Sequence, residues 1–246
     1  RRLAAKNRHN LLTMAYWLLA KWGYSFGLTL VGLLAVDLYA DLGAAALALG
    51  EVAVVLFTLF YVAFVERWST GFRGLEPRHC SIYEVGFWQS ERFFKLQAGP
   101  GLNAVFIGTP FQSWFWRLVG VRLGKRLFDD GGGMSEKTLV TIGDDVTINA
   151  GSFIQCHSQE DYAFKSDRVS IGSGCTIGIG TTVHYGVTMG DGAVLAPESF
   201  LMKGEEVPAH EHWGGNPARE MRETLPAAAP RPATLPQLPA PRPAAD

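Results

Sequence analysis

The sequence predicts an all-β parallel β-helix carried behind a two-helix transmembrane hairpin, and three observations predict it. Ile171, Ile177, Val183, Met189, Leu195 and Leu201 stand six residues apart, and Ile142, Ile148 and Ile154 keep the same step. Residues 11 to 36 and 42 to 65 form two mainly apolar stretches. From residue 224 onward the chain is Pro- and Ala-rich with no core-forming pattern, which predicts a disordered tail.

The hexads read roughly aliphatic-Gly-x-x-small-x, as in Ile171-Gly172-Ser173-Gly174-Cys175-Thr176. Fifth positions stay compact: Val146, Ser152, Cys175, Thr181, Val187, Ala193 and Ser199. A helix repeats at 3.6 residues and a strand at two, so neither buries one residue in six. A hexapeptide-repeat coil does, with three short strands closing a prism and the aliphatic residues filling it. Spacing alone leaves the hand of the coil open, because parallel crossovers are normally right-handed. The repeat predicts a β-helix domain over residues 121–223, with all nine spaced aliphatic residues pointing inward.

The two apolar stretches precede it. A hydrocarbon core of about 30 Å takes roughly 20 helical residues, and both stretches are long enough. Acidic Asp37 and Asp41 stand in the connection, predicted at residues 37 to 41, while Arg1, Arg2, Lys6 and Arg8 lead in and Arg67, Arg73 and Arg78 follow. The positive-inside rule then predicts a hairpin over residues 11–66 with both ends, and the β-helix, in the cytoplasm of a plasma or inner membrane. Residues 1–10 form a basic lead. Lys21 and Glu51 interrupt the helices and are expected to face protein rather than lipid.

Residues 67–120 are an aromatic-rich linker. The segment from Phe111 to Leu118 fits either a short amphipathic helix at the bilayer surface or a cap over the open end of the β-helix, and a substrate-gripping wall of aromatics is the alternative. With 22 Lys plus Arg against 23 Asp plus Glu, the charge balance gives no nucleic-acid signal. Three cysteines without paired spacing point to a reducing compartment. The chain opens on Arg1-Arg2-Leu3 rather than Met, as expected of a piece of a longer protein.

The chemistry is sought where the hexad clock breaks. The step from Ile154 to Ile171 is nearly three hexads long where one would keep time, so the stretch near His157 to Arg168 leaves the prism as an external loop. Its opening, Gln155-Cys156-His157-Ser158-Gln159-Glu160-Asp161, brings an imidazole and two carboxylates together. Imidazole titrates in the range useful for general base catalysis, and a carboxylate, Glu160 or Asp161, would fix its tautomer. Without that context, His157 would read as a surface histidine. If the loop leaves the clock undisturbed, Val183 stacks above Ile154 and His184 above Gln155, near the His157 corner. His184, Gln155 and Tyr185 are therefore candidate substrate contacts. Cys156 as a nucleophile is disfavoured, because adjacent strand residues point to opposite sides.

The repeat segment, closing on Gly215-Asn216-Pro217-Ala218, resembles the left-handed β-helix acyltransferases, and that resemblance implies the left hand of the coil. His157 matches their catalytic histidine at the start of the loop. Some left-handed β-helices are zinc carbonic anhydrases with a His-x4-His pair; here the residue five after His184 is Met189, and His210 and His212 fall in the terminal turn, so no metal is expected.

The hairpin, Ile107-Gly108-Thr109-Pro110-Phe111, the loop opening, Gly190-Asp191-Gly192-Ala193-Val194-Leu195-Ala196-Pro197, Met202-Lys203-Gly204-Glu205-Glu206 and Trp213-Gly214-Gly215-Asn216-Pro217-Ala218 together resemble the C-terminal region of the ε-poly-lysine synthetase family, over about residues 1 to 223. These are nonribosomal peptide synthetase-like proteins. The resemblance implies adenylation and carrier domains as partners and sister hexapeptide domains in a trimer or covalent pseudo-trimer. It further implies a phosphopantetheine thioester from the carrier as donor, and amide formation with His157 as base. A coenzyme A-dependent acetyltransferase using acyl-CoA, or a non-catalytic structural copy, are the alternatives. The residues do not select which amino acid is joined.

Overall fold

The computed structural model describes residues 2–96 and 105–221, so the Pro- and Ala-rich tail expected from residue 224 lies outside the described residues. Helices α1 (Arg2–Leu42) and α2 (Ala44–Ser69) form the antiparallel hairpin. Both are long and apolar enough to cross a membrane. The hairpin exposes a continuous coat of large apolar side chains, among them Leu18, Trp22, Leu33, Leu56 and Phe60.

The connection is shorter and later than the sequence suggests. Residues 37 to 41 are helical, and the chain reverses at Gly43, whose φ of 56° is open to glycine at little steric cost. This correction moves Lys21 to about 33 Å from the turn and Glu51 to about 12 Å at 1.5 Å rise per residue. The two are thus too far apart to pair. Lys21 lies over the Trp17 ring at 5.8 Å, and Glu51 is exposed on the hairpin's side.

At 41 residues, α1 is about 62 Å long, roughly twice a bilayer core. The excess is its start, the segment expected to be only a basic lead. Lys6 pairs with Glu91, and Arg92 Nε donates to Thr13 Oγ1 at 3.2 Å, docking α1 on α3 (Val85–Leu96).

The β-helix has three faces, with strands numbered in chain order. One face stacks β2 (Arg122–Leu123), β5 (Val140–Ile142), β10 (Val169–Ile171), β13 (Thr188–Met189) and β16 (Glu206–Val207). The second stacks β3 (Phe128–Asp129), β6 (Thr147–Ile148), β11 (Thr176–Ile177), β14 (Val194–Leu195) and β17 (His212–Gly214), closed by antiparallel β18 (Arg219–Glu220). The third stacks β4 (Gly133–Met134), β7 (Phe153–Gln155), β12 (Thr182–His184) and β15 (Phe200–Leu201). All nine spaced aliphatic residues are inside, none more than 3% exposed. Gly172 shows why the repeat wants glycine after the aliphatic: a Cβ there would lie 2.7 Å from the backbone nitrogen of Asp191 in the next coil.

Beyond the loop, ladder partners recur at the regular step of three hexads, as Ile177 with Leu195. Across the loop the step is longer, as Ile154 with Val183, yet the two still pair on one face. The excursion therefore lengthens its coil without changing face. It is an ordered hairpin rather than an irregular loop: β8 (His157–Glu160) and β9 (Ala163–Ser166) pair antiparallel, and β1 (Arg78–Ser81) of the linker adds a third strand. Asp161 and Tyr162 make the tip with φ of 50° and 60°, the left-handed pair that a tight hairpin turn requires.

The first coil, β2 to β4, lies below the spaced hexads. Its steps to the next coil, as from Asp129 to Ile148 and from Met134 to Ile154, are slightly longer than three hexads, which hides it from a period-six reading. Helix α4 (Pro110–Val119) covers this coil, so the cap reading holds for its inner face: Trp116 and Val119 are buried, and Trp116 Nε1 donates to buried Asp129 at 2.6 Å. Gln112 and the backbone N–H groups of Gly131 and Gly132 also donate to that carboxylate. The outer face of α4 leaves Phe111 and Trp114 exposed.

Candidate active site

The site forms where β7 leaves the prism and its chain becomes the β8–β9 hairpin. One coil below, the chain following β4 places Ser135 and Glu136 under this corner, because Met134 pairs with Ile154. Ser135 N–H donates to Ile154 O at 3.0 Å, and Ser135 Oγ accepts the Cys156 N–H at 2.9 Å. The same hydroxyl donates to Glu136 Oε2. Glu136 is only 2% exposed.

Its other oxygen, Oε1, lies 2.6 Å from His157 Nδ1. The ring N–H is not aligned along that line, and neither atom has another hydrogen-bond partner among the described residues. Two buried polar atoms at the length of a charge-assisted hydrogen bond make each the natural partner of the other. With Nδ1 given to the carboxylate, Nε2 is left as the basic nitrogen.

The ring is held from the sides as well. Phe94 of α3 has its centroid 4.6 Å from the imidazole, and Phe164 of β9 lies at 5.7 Å with an interplanar angle of 29°. Phe164 is itself fully buried against Phe87 and Trp88. The aromatic linker thus supplies a wall for the histidine, and Phe94 is the residue that forms it.

The acidic partner is therefore Glu136, which corrects the expectation of Glu160 or Asp161. Glu160 stands at the far end of β8 from His157, on the opposite side of the strand, where it pairs with Lys203 at 2.5 Å. Lys203 holds the Glu160 carboxyl below the usual carboxylate range. Asp161 sits at the hairpin tip, away from the ring.

His184 pairs in register with Gln155, as the clock requires. It is buried, packed against Tyr185 at 4.9 Å and Phe200 at 5.9 Å. Its Nδ1 accepts the Tyr185 N–H at 3.0 Å, so its own proton resides on Nε2. Burial, reinforced by Lys203 and by the charge of His157, and opposed by Glu160, holds its pKa below that of free imidazole. His184 is therefore a neutral donor near the site. Tyr185 Oη is 3.4 Å from Ser158 Oγ on β8, while Gln155 Nε2 is turned to His157 O at 3.0 Å. Cys156 is fully buried, and that burial, with Glu136 nearby, pushes its thiol pKa up, so no thiolate is available. Among the described residues no three His, Cys, Asp or Glu side chains converge as a metal site.

A cavity of about 480 Å³ reaches Glu136 from between the end of α2, α3 and the β-helix. Its lining includes Glu136, Phe94 and Phe164, the groups around His157, together with Arg73, Arg78, Arg92 and Glu76. Sequence reasoning misses Glu136 because it stands a full coil before His157, in the one coil that breaks the period. Its only signal is that Met134-Ser135-Glu136 underlies Ile154-Gln155-Cys156 once the ladder is known.

The comparisons with known proteins agree with this repeat. Residues 168–196 match the model for the hexapeptide repeat of succinyl-transferase. The chain carries a hexapeptide repeat. It is also similar to a poly-amino-acid synthetase: the δ-poly-L-ornithine synthetase of Acinetobacter baumannii is 32% identical over 146 residues, which are 58% of this chain and 11% of that protein. The chain thus spans about a tenth of that relative. Among solved structures, a hexapeptide-repeat acetyltransferase of Vibrio cholerae in complex with acetyl coenzyme A matches 50% of this chain and 83% of its own, at 21% identity and a TM-score of 0.39. Galactoside acetyltransferase in complex with coenzyme A matches 64% and 89%, at 19% identity and a TM-score of 0.44.

Proposed function

We propose that this chain is a membrane-tethered acyltransferase domain of a nonribosomal peptide synthetase-like protein, joining a carrier-bound aminoacyl thioester to an amine of another amino acid as an amide. The observation that carries the reading is the His157–Glu136 pair at the interrupted hexad, 2.6 Å between Nδ1 and Oε1. Similarity to a poly-ornithine synthetase supports the amide product, since a poly-amino acid is an amide polymer. The two long apolar helices support the tether, with the coil left-handed as the resemblance implies. Exposed Phe128, Phe153 and Ile179 on the outside of the prism support packing against sister hexapeptide domains.

The chemistry follows from the pair. An amine with pKa about 10.4 is mostly protonated near neutrality, and its neutral form attacks the thioester carbonyl. Attack makes the nitrogen strongly acidic, and His157 Nε2 takes that proton while Glu136 stabilises the imidazolium. The C–N bond forms, the C–S bond breaks, and the departing thiolate receives the proton from His157. The neutral Nε2–H of His184 is available to donate to the carbonyl oxygen as charge develops there.

The test is His157→Ala in the full-length protein containing this domain, with Cys156→Ala beside it. Aminoacyl loading of the carrier should persist, while amide formation falls roughly 100- to 10,000-fold in the His157 variant. The Cys156 variant should retain it. Near-wild-type product from His157→Ala would sink the assignment, and loss confined to Cys156→Ala would replace base catalysis by a covalent route.

A further inference from the structure

We propose that the cavity between the hairpin and the β-helix binds the acceptor as an amino acid, its carboxylate on the arginines and its ammonium toward Glu76 and Glu136, the latter the partner of His157. This rests on the acyltransferase reading above. Arg73, Arg78 and Arg92 all line the same space of about 480 Å³, and none of them pairs with a carboxylate among the described residues. Three arginines lining one concave site favour an anion, for which their planar donor fork suits a carboxylate.

Two of the three are fixed from behind. Arg92 is held by Thr13 Oγ1 and by His9 Nδ1 at 3.0 Å, and its guanidinium lies 5.1 Å from the Tyr16 ring centroid. Arg78 donates to Gly86 O. Arg73 is exposed and makes no side-chain hydrogen bond among the described residues. The membrane hairpin therefore helps to build the pocket, since His9, Thr13 and Tyr16 belong to α1 and Ser69 of α2 is part of the lining.

Glu136, Phe94 and Phe164, which also surround the imidazole, line the same cavity. An amino acid held by its carboxylate on the arginines therefore shares the cavity with Glu136, the carboxylate paired with His157. The volume lies in the range for small-molecule sites, about 300 to 1,000 Å³. A carrier-arm phosphate would also be an anion. Glu76 and Glu136 line the same space, however, and their charge favours a ligand that is itself part cation, as an amino acid is and a phosphate is not.

The test is equilibrium binding of radiolabelled L-ornithine, L-lysine and L-2,4-diaminobutyrate to the full chain in lipid nanodiscs, each against its decarboxylated diamine. At least one amino acid should bind, with its diamine roughly ten- to hundredfold weaker, the span expected for losing hydrogen bonds to charged groups. Arg73→Gln should impose a similar loss on the amino acid, leave diamine binding and Tm unchanged, and be partly rescued by Arg73→Lys. Equal binding of acid and diamine, or no binding of any of the three acids, overturns the proposal. So does displacement of the bound amino acid by 4′-phosphopantetheine with phosphate-dependent affinity, which would assign the cavity to the donor. Because binding needs no turnover, amino-acid binding in a protein whose His157→Ala variant keeps wild-type amide formation would sink the assignment of His157 as base alone.

Discussion

Glu136 Oε1 and His157 Nδ1 meet at 2.6 Å from positions a full coil apart, because each turn of the β-helix returns the chain to the same corner. A stacked coil places a carboxylate under an imidazole with backbone rigidity on both sides. Ser135 then occupies the second carboxylate oxygen.

That arrangement separates two glutamates by role. Glu136→Gln should keep the fold yet lower amide formation by about 100-fold or more, since the amide leaves the imidazolium without its counter-charge. Glu160→Gln removes only an exposed pair with Lys203 and should leave both Tm and amide formation nearly unchanged. Product formation measured by mass spectrometry, with carrier loading as control, distinguishes them. Equal loss in both variants would return the orienting role to Glu160.

His184 makes stability depend on pH in a stated direction. Its folded pKa lies below the free-imidazole value of about 6.5, so the unfolded chain binds the proton more readily. The stabilisation is therefore complete above about pH 6.5 and is lost as pH falls through that value toward the folded pKa. Thermal unfolding between pH 5 and 8 should show a decline on the acid side, shallower in His184→Gln. An identical acid decline in the variant would place the titrating group elsewhere.

The cap can be tested at Trp116. Trp116→Phe keeps most of the buried ring but removes one donor from the Asp129 carboxylate, at a cost of about 1 to 3 kcal/mol. Hydrogen exchange should then quicken in α4 and the first coil, while the coils from residue 171 onward hold their protection. Uniform loss of protection would mean that the cap and the prism unfold as one unit.

The parts that repeat were legible from residue order. Nine aliphatic residues at a step of six specify the prism, its three faces and its register, since each buries the same atoms against similar neighbours above and below. The register survives the excursion at His157 because the ladder constrains where the chain must rejoin. Two apolar runs specify the helices by length alone. His157 itself was legible as the residue at the break.

What surrounds that histidine came only with the packed chain. Glu136 lies in a coil whose steps fall out of the period, so no spacing rule connects it to His157. Glu160 looks nearer in sequence, but strand alternation turns it away to Lys203. Phe94 and the three arginines arrive from the linker and the hairpin's end, segments without a repeat, whose placement depends on docking α1 against α3 and β1 against β9. Local periodicity fixes what a residue buries; which distant side chain it then meets is set by packing between elements that carry no common pattern.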